Sequence, residues 1–161
     1  MMAVNVRPMK PEDKAQIMKI LRNTPEFTAE EVIVAEELID LYLQQGAVFS
    51  GYRVMVSEGS DDPTGYICFG PTPMTENTWD IYWMAVAGEK QGQGIGRALI
   101  DAAETEIRKD RGRLSMIETS SKPNYEKTRA FHVARGYELI ATVPDFYAPG
   151  DDKMIYRKLL R

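Results

Sequence analysis

The chain has 161 residues, 43% of them hydrophobic and 27% charged, the composition of one globular domain spanning residues 1–161. No apolar run in it approaches the roughly 20 residues that span a bilayer. A net charge of −4 speaks against a nucleic-acid partner, and a single cysteine and a single histidine leave no disulfide and no ligand set for a zinc site.

Met1–Arg7 lacks the basic-then-apolar pattern of a secretory leader, so a cytoplasmic protein is expected. Residues 3–7 predict a short first strand. Pro11 with Glu12 and Asp13 predicts a helix start, and the helix continues to about Arg22. Thr28-Ala29-Glu30-Glu31 is a capping box, opening a second helix that Gly46 is expected to stop. Tyr52–Glu58 and Gly65–Phe69 read as strands around the turn Gly59–Pro63, and Pro71-Thr72-Pro73 ends the second.

Trp79–Val86 is rich in β-formers and reads as a buried strand. Directly after it comes Gln91-Gly92-Gln93-Gly94-Ile95-Gly96, and then a helix to about Asp110. That helix has Leu99, Ile100, Ala103 and Ile107 on one face and Arg97, Asp101, Glu104 and Arg108 on the other. Leu114–Thr119 predicts another strand and Tyr125–Arg135 a helix closed by Gly136. Two last strands, near Glu138–Val143 and Lys153–Lys158, flank the polar stretch Tyr147–Asp152. The order is β-α-α-β-β-β-α-β-α-β-β, an α/β fold with a mixed sheet of about seven strands and four helices.

Three glycines crowded at a strand-to-helix turn leave backbone N–H groups uncovered at the positive end of a helix dipole, a ready site for phosphate. A Walker A loop is excluded, because no Lys-Ser or Lys-Thr follows. A Rossmann turn would need its third glycine where Arg97 stands, and would follow the first strand.

Gln91-x-x-Gly94-x-Gly96 resembles the Q/R-x-x-G-x-G/A motif of the GNAT superfamily, the acyl-CoA-dependent N-acetyltransferases. The element order matches along essentially the whole chain, and Phe131-His132 with Gly136-Tyr137 echoes the family's last helix end. The resemblance implies a single-domain GNAT-like fold using acetyl-CoA and releasing coenzyme A. In that reading the backbone of Gln91, Gly92, Gln93, Gly94, Ile95 and Gly96 cradles the pyrophosphate, with Arg97 adding charge. Met84 and Val86 run beside the pantetheine, and the Met84 N–H polarises the thioester carbonyl where negative charge develops. Asn124 lies one residue out of register with an asparagine that contacts coenzyme A in many members.

Transfer to an amine requires a base. Asp80 is the candidate, acting through water, among Trp79, Tyr82 and Trp83, where partial desolvation would raise its pKa. The family's usual proton donor, a tyrosine, is here His132, which helical spacing groups with Tyr125 and Thr128. An imidazole near its ordinary pKa of ~6.5 is mostly neutral at pH 7 and still has an N–H to donate. Tyr125 and Tyr147 are alternatives for that role.

On the acceptor side, the resemblance points to segments 23–27 and 145–152, with Phe27, Tyr82 and Tyr147 as candidate contacts. Both segments combine aromatics with acids, which suits a small cationic amine. The expected partners are a small-molecule or peptide amine and neither nucleic acid nor membrane, with a homodimer allowed. The competing reading is a non-catalytic module on the same fold that holds acyl-CoA as a regulatory ligand.

Overall fold

A computed structural model describes residues 3–160; the first two residues of the expected N-terminal reading lie outside it. The elements follow the predicted order: β1 (Val6–Pro8), α1 (Lys14–Arg22), α2 (Ala29–Ser50), β2 (Arg53–Ser57), β3 (Gly65–Pro71), β4 (Thr78–Val86), α3 (Ile95–Lys109), β5 (Leu114–Ser120), α4 (Glu126–Ala134), β6 (Glu138–Ala148) and β7 (Asp151–Leu159). The strands form one seven-stranded sheet in the order β1-β2-β3-β4-β5-β7-β6. All neighbours are antiparallel except β4 and β5, which run parallel. No helix among the described residues is long and apolar enough to cross a membrane.

Two apolar layers sandwich the sheet. Ile95, Leu99, Ile100, Ala103 and Ile107 of α3 pack on Trp79, Ile81 and Ile117 on one side. Ile17, Leu21, Ala35 and Ile39 of α1 and α2 pack on Val54, Val56, Tyr66 and Cys68 on the other. Burial lifts the Cys68 thiol to a pKa of about 12, so it is an inert packing group. Glu104, expected on the solvent face of α3, is instead only 2% exposed. Lys158 at 2.8 Å and the Tyr137 hydroxyl at 3.0 Å draw it inward, as a buried carboxylate requires.

Several boundaries moved. The first strand shifts to Val6–Pro8, and Pro11–Asp13 forms a single 3-10 turn ahead of α1. The Thr28 capping box forms as read, through Glu31 N–H to Thr28 Oγ1 at 3.1 Å and Thr28 N–H to Glu31 at 3.4 Å. Gly46 kinks α2 without ending it, at φ 78° and ψ 173°, and the left-handed Gly51 closes the helix. Pro71 belongs to β3 as its last residue. The last hairpin is longer than predicted, because Ala148 pairs with Asp151 and only Pro149-Gly150 turns. Its polar residues satisfy the backbone from within: the Asp152 carboxylate accepts from Asp145 N–H, and Asp145 from Gly150 N–H.

One feature of β4 had no counterpart in the sequence reading. Phe69 sits opposite Ile81 but Cys68 sits opposite Trp83, so Tyr82 is an extra residue and β4 carries a bulge. Trp79 and Ile81 face α3. After the bulge Met84 and Val86 take over that side, whereas Trp83 and Ala85 turn toward α1 and α2.

Candidate active site

The site grows out of a failure of pairing. β4 and β5 pair only from Thr78–Ile81 to Leu114–Ile117, and beyond Ile81 the two strands part. The opening is a cleft of about 870 Å³, lined on its two sides by Tyr82–Met84 and by Glu118–Ser120. Ala87 N–H donates to Thr64 O at 2.8 Å, so the odd residues of this end of β4 bond toward β3. Antiparallel alternation then turns the N–H and C=O of Met84 and Val86 toward the opening, where β5 offers no partner.

The glycine turn lies just past the end of β4. Gly92 and Gly94 have φ of 79° and 81°, a left-handed conformation in which a side chain is strained. A Cβ on either would meet nothing within 4 Å, so the backbone borders open space. Gly94 is the N-cap of α3, which has neither a capping side chain nor an acidic residue in its first turn. The amides of Ile95, Gly96 and Arg97 therefore have no intrahelical acceptor. This unneutralised positive end suits an anion. Gly96 differs from these two: a Cβ there would make van der Waals contact with the Phe131 ring at 3.4 Å, so this position lies between α3 and α4 and does not border open space. Arg97 is exposed, with Asp101 at 3.9 Å. Asn124 is exposed on the 3-10 turn before α4 and does not line the cleft.

Asp80 lines the cleft two residues ahead of the bulge, half-buried, with its carboxylate accepting a 2.6 Å hydrogen bond from the Thr72 hydroxyl. Trp79 does not surround it as expected, because strand alternation buries Trp79 against Phe69 on the α3 side. Tyr82 stays with Asp80, and burial together with the Asp80 charge pushes its hydroxyl pKa upward.

His132 also lines the cleft, but it is only 5% exposed. Phe131, Tyr137 and Tyr156 surround the ring at centroid distances of 5.6 to 6.4 Å. Burial lowers its pKa to about 4, well below the ordinary value expected from sequence. The ring is neutral at pH 7. Only Nδ1 of its two nitrogens is both sealed from solvent and without a hydrogen-bond partner. Tyr125, the first alternative donor, spends its hydroxyl on Glu26 O at 3.1 Å and so ties α4 to the loop between α1 and α2. Tyr147, the second, lines the cleft from β6, about half exposed at 47%.

Phe27 meets the Trp83 ring edge-on at 5.5 Å, and Tyr52 meets Tyr82 at the same distance, so the bulge builds an aromatic wall on the α1–α2 side. Tyr52 and Thr72 were not singled out from sequence, while Trp83 entered only as a neighbour of Asp80 and Glu26 only as the acid of segment 23–27. Trp83 had a usable signal, since the apolar alternation 79, 81 resumes at 84, 86. Thr72 had none, because only the folded chain brings its hydroxyl to Asp80.

The model of the acetyltransferase (GNAT) family matches residues 15–137. The chain is similar to an L-2,4-diaminobutyric acid acetyltransferase of Streptomyces coelicolor, 26% identical over 137 residues, covering 75% of this chain and 79% of that one. It is also similar to a crystal structure from Desulfovibrio desulfuricans assigned to the GNAT acetyltransferases. That match has a TM-score of 0.94 and 41% identity, over 99% of this chain and 100% of the other. The Salmonella typhimurium protein yncA, solved with its cofactor acetyl-CoA, shares the fold at a TM-score of 0.78 and 21% identity, over 99% and 95% of the two chains. With the family model matching most of its length, the chain belongs to the GNAT family of acetyltransferases.

Proposed function

We propose that the protein is an N-acetyltransferase that moves the acetyl group of acetyl-CoA directly to a primary amine of a small molecule or peptide. The observation that carries this reading is the unpaired edge of β4, with Asp80 near one end and the glycine-capped start of α3 just beyond the other. The amides from Gly92 to Arg97 hold the pyrophosphate, Gln91 N–H being turned back to Gly88 O, and the open positions at Gly92 and Gly94 leave room for it. Met84 and Val86 offer main-chain bonds to the pantetheine in place of a missing strand. Bound there, acetyl-CoA supplies an activated acyl carbon.

The residues then divide the work. Asp80, oriented by Thr72, takes a proton from the incoming ammonium through water, freeing the nitrogen lone pair. The Met84 N–H donates to the carbonyl oxygen as it gains negative charge. The C–N bond forms and the C–S bond breaks, and the second nitrogen proton passes through water to the departing sulfur, which leaves as a thiol. His132, neutral throughout, acts as a hydrogen-bond donor to the departing sulfur and not as an imidazolium acid. With Nδ1 sealed and unpartnered, its one proton belongs on Nε2, since an orphaned N–H is the costlier group to bury. The buried histidine in place of the usual tyrosine is also what favours the second reading, an acyl-CoA-binding module without turnover.

Acetyl-CoA-dependent thiol release across polyamines, amino acids, aminoglycosides and short peptides decides between them. Release with one class identifies an enzyme and its acceptor chemistry. Acetyl-CoA binding with no release for any class returns the weight to the binding module.

A further inference from the structure

The two edges of the sheet, β1 and β6, are finished differently. β1 is three residues long and ends on Pro8, a short edge that offers another chain little to pair with. β6 is eleven residues long, and every one of them is exposed. Leu139, Ile140, Val143, Phe146 and Tyr147 lie on it at 40–53% exposure, and the apolar layer of α1 and α2 stops short of it.

The backbone of this edge is open as well. Asp152 N–H bonds to Ser121 Oγ and Leu160 N–H to Arg113 O, so the even-numbered residues of β7 bond toward β5 and the odd-numbered ones toward β6. Ala141 and Val143, opposite Ile155 and Lys153, therefore bond to β7, and Thr142 between them turns its N–H and C=O to the outside. Charges, by contrast, are matched within the chain. Glu138 pairs with Arg157 at 3.3 Å, Lys153 with Glu118 at 3.1 Å, and Asp145 accepts from Gly150 N–H at 2.8 Å. A nucleic acid, an anionic membrane or a charged peptide finds no unmatched charge on this strand. A surface that is apolar, balanced in charge and hydrogen-bonding along one edge fits another of the same kind.

We propose that β6 is the interface of a homodimer, the β6 strands of two copies lying antiparallel across a two-fold axis at Thr142. Thr142 then exchanges both backbone bonds with its own counterpart, and Ala141 faces Val143. The apolar Leu139–Ile140 end of one strand runs along the Pro144–Phe146 end of the other. Pro144 has no N–H to give, so the ladder stops there. The contact closes on itself, and the joined sheet ends on both sides at the short β1. At about half exposure the five large side chains show roughly 100 Å² each, about 500 Å² per copy. Over both copies that is about 1,000 Å², the size at which specific interfaces begin, before backbone and smaller residues are counted. Tyr147 also lines the cleft, so the contact steadies one wall of the site.

Sedimentation velocity at micromolar concentration should find a dimer. Thr142→Pro removes an outward N–H without touching a bond to β7, and Val143→Lys puts a charge in the contact. Together they should raise the dimer dissociation constant by about thirtyfold or more, the scale of a hot-spot residue. Both positions are exposed in the single chain, so the monomer should stay folded, which circular dichroism checks. Val48→Lys, at an 89% exposed position of α2, is the control and should leave the dimer intact. Thr142→Cys should form an intermolecular disulfide on mild oxidation, because a residue on the axis meets its own copy at about 5.5 Å between Cα atoms. Cys68 is buried and does not compete. A parent that is monomeric throughout overturns the interface. So does a dimer that survives Thr142→Pro with Val143→Lys, or one that Val48→Lys dissociates. If the double variant does not fold, the cysteine decides: a disulfide dimer upholds the contact, and its absence overturns it.

Discussion

Gly94→Val separates the cost of a backbone conformation from the loss of a ligand site. At φ 81° a side chain is strained by about 1–2 kcal/mol, and a β-branched one lies at the upper end. No collision adds to this, since a Cβ at Gly94 meets nothing within 4 Å. The variant should therefore fold. In a domain of this size each kcal/mol is worth roughly 2–4 °C, so its melting temperature should drop by about 4–8 °C. The binding loss is larger. The valine methyl groups occupy the space in front of the Ile95–Arg97 amides, and losing two hydrogen bonds to a charged phosphate costs about 3–6 kcal/mol. That corresponds to a weakening of acetyl-CoA affinity by roughly two to four powers of ten. Gly88→Ala is the control, because Gly88 is equally open but has no left-handed φ and lies off the helix start. Calorimetric titration with acetyl-CoA reads the affinity and a thermal melt reads the strain. A variant that melts lower yet binds acetyl-CoA within about threefold of the parent would refute the cradle.

Asp80→Asn should lower turnover by about two to four powers of ten with acetyl-CoA affinity unchanged, and the deficit should narrow at high pH, where the amine loses its own proton. A pH–rate profile parallel to the parent's would take Asp80 out of the mechanism. His132 should also leave a mark on stability. Its pKa is 6.5 when unfolded and about 4 when folded, so below pH 6.5 the unfolded chain binds a proton that the folded chain refuses. The stability given by the neutral ring is present above pH 6.5 and lost by roughly 3 kcal/mol as pH falls toward 4. Urea unfolding should show that loss in the parent and a flatter dependence in His132→Phe; identical slopes would mean that the ring is not buried neutral. In turnover, His132→Phe should be slow and His132→Tyr close to the parent, and full activity in the Phe variant would end its role as donor.

Element order was readable because each helix and strand announces itself locally. The Thr28 box, the α3 stripe and the glycines after β4 are short-range signals, and they folded as read. What misled were features whose cause lies elsewhere in the chain. Gly46 looks like a helix stop but is absorbed as a kink, because the chain resumes helical geometry until Gly51. Glu104 looks solvated until Lys158 and Tyr137 arrive from more than thirty residues away. His132 occupies a polar stripe of α4 in sequence, yet Tyr137 and Tyr156 close over it. The bulge at Tyr82 was recoverable in principle from the broken alternation. Its consequence, two neighbouring aromatics on one face, needed the β3 register to become visible.

The short seam between β4 and β5 has a bearing on how the protein lasts. Backbone bonding between β1–β4 and β5–β7 is short, running along Thr78–Ile81 and Leu114–Ile117 with one more bond from Arg113 N–H to Asn77 O at 2.9 Å, and α3 is laid across the joint. A donor seated in the gap as proposed would brace the two leaves where the chain itself leaves them unjoined. Any ligand that binds only the folded state adds RT ln(1 + [L]/Kd), about 2.7 kcal/mol at a hundredfold excess over Kd. Acetyl-CoA supply would then govern abundance as well as rate, since a starved cell would carry a looser, more rapidly degraded enzyme.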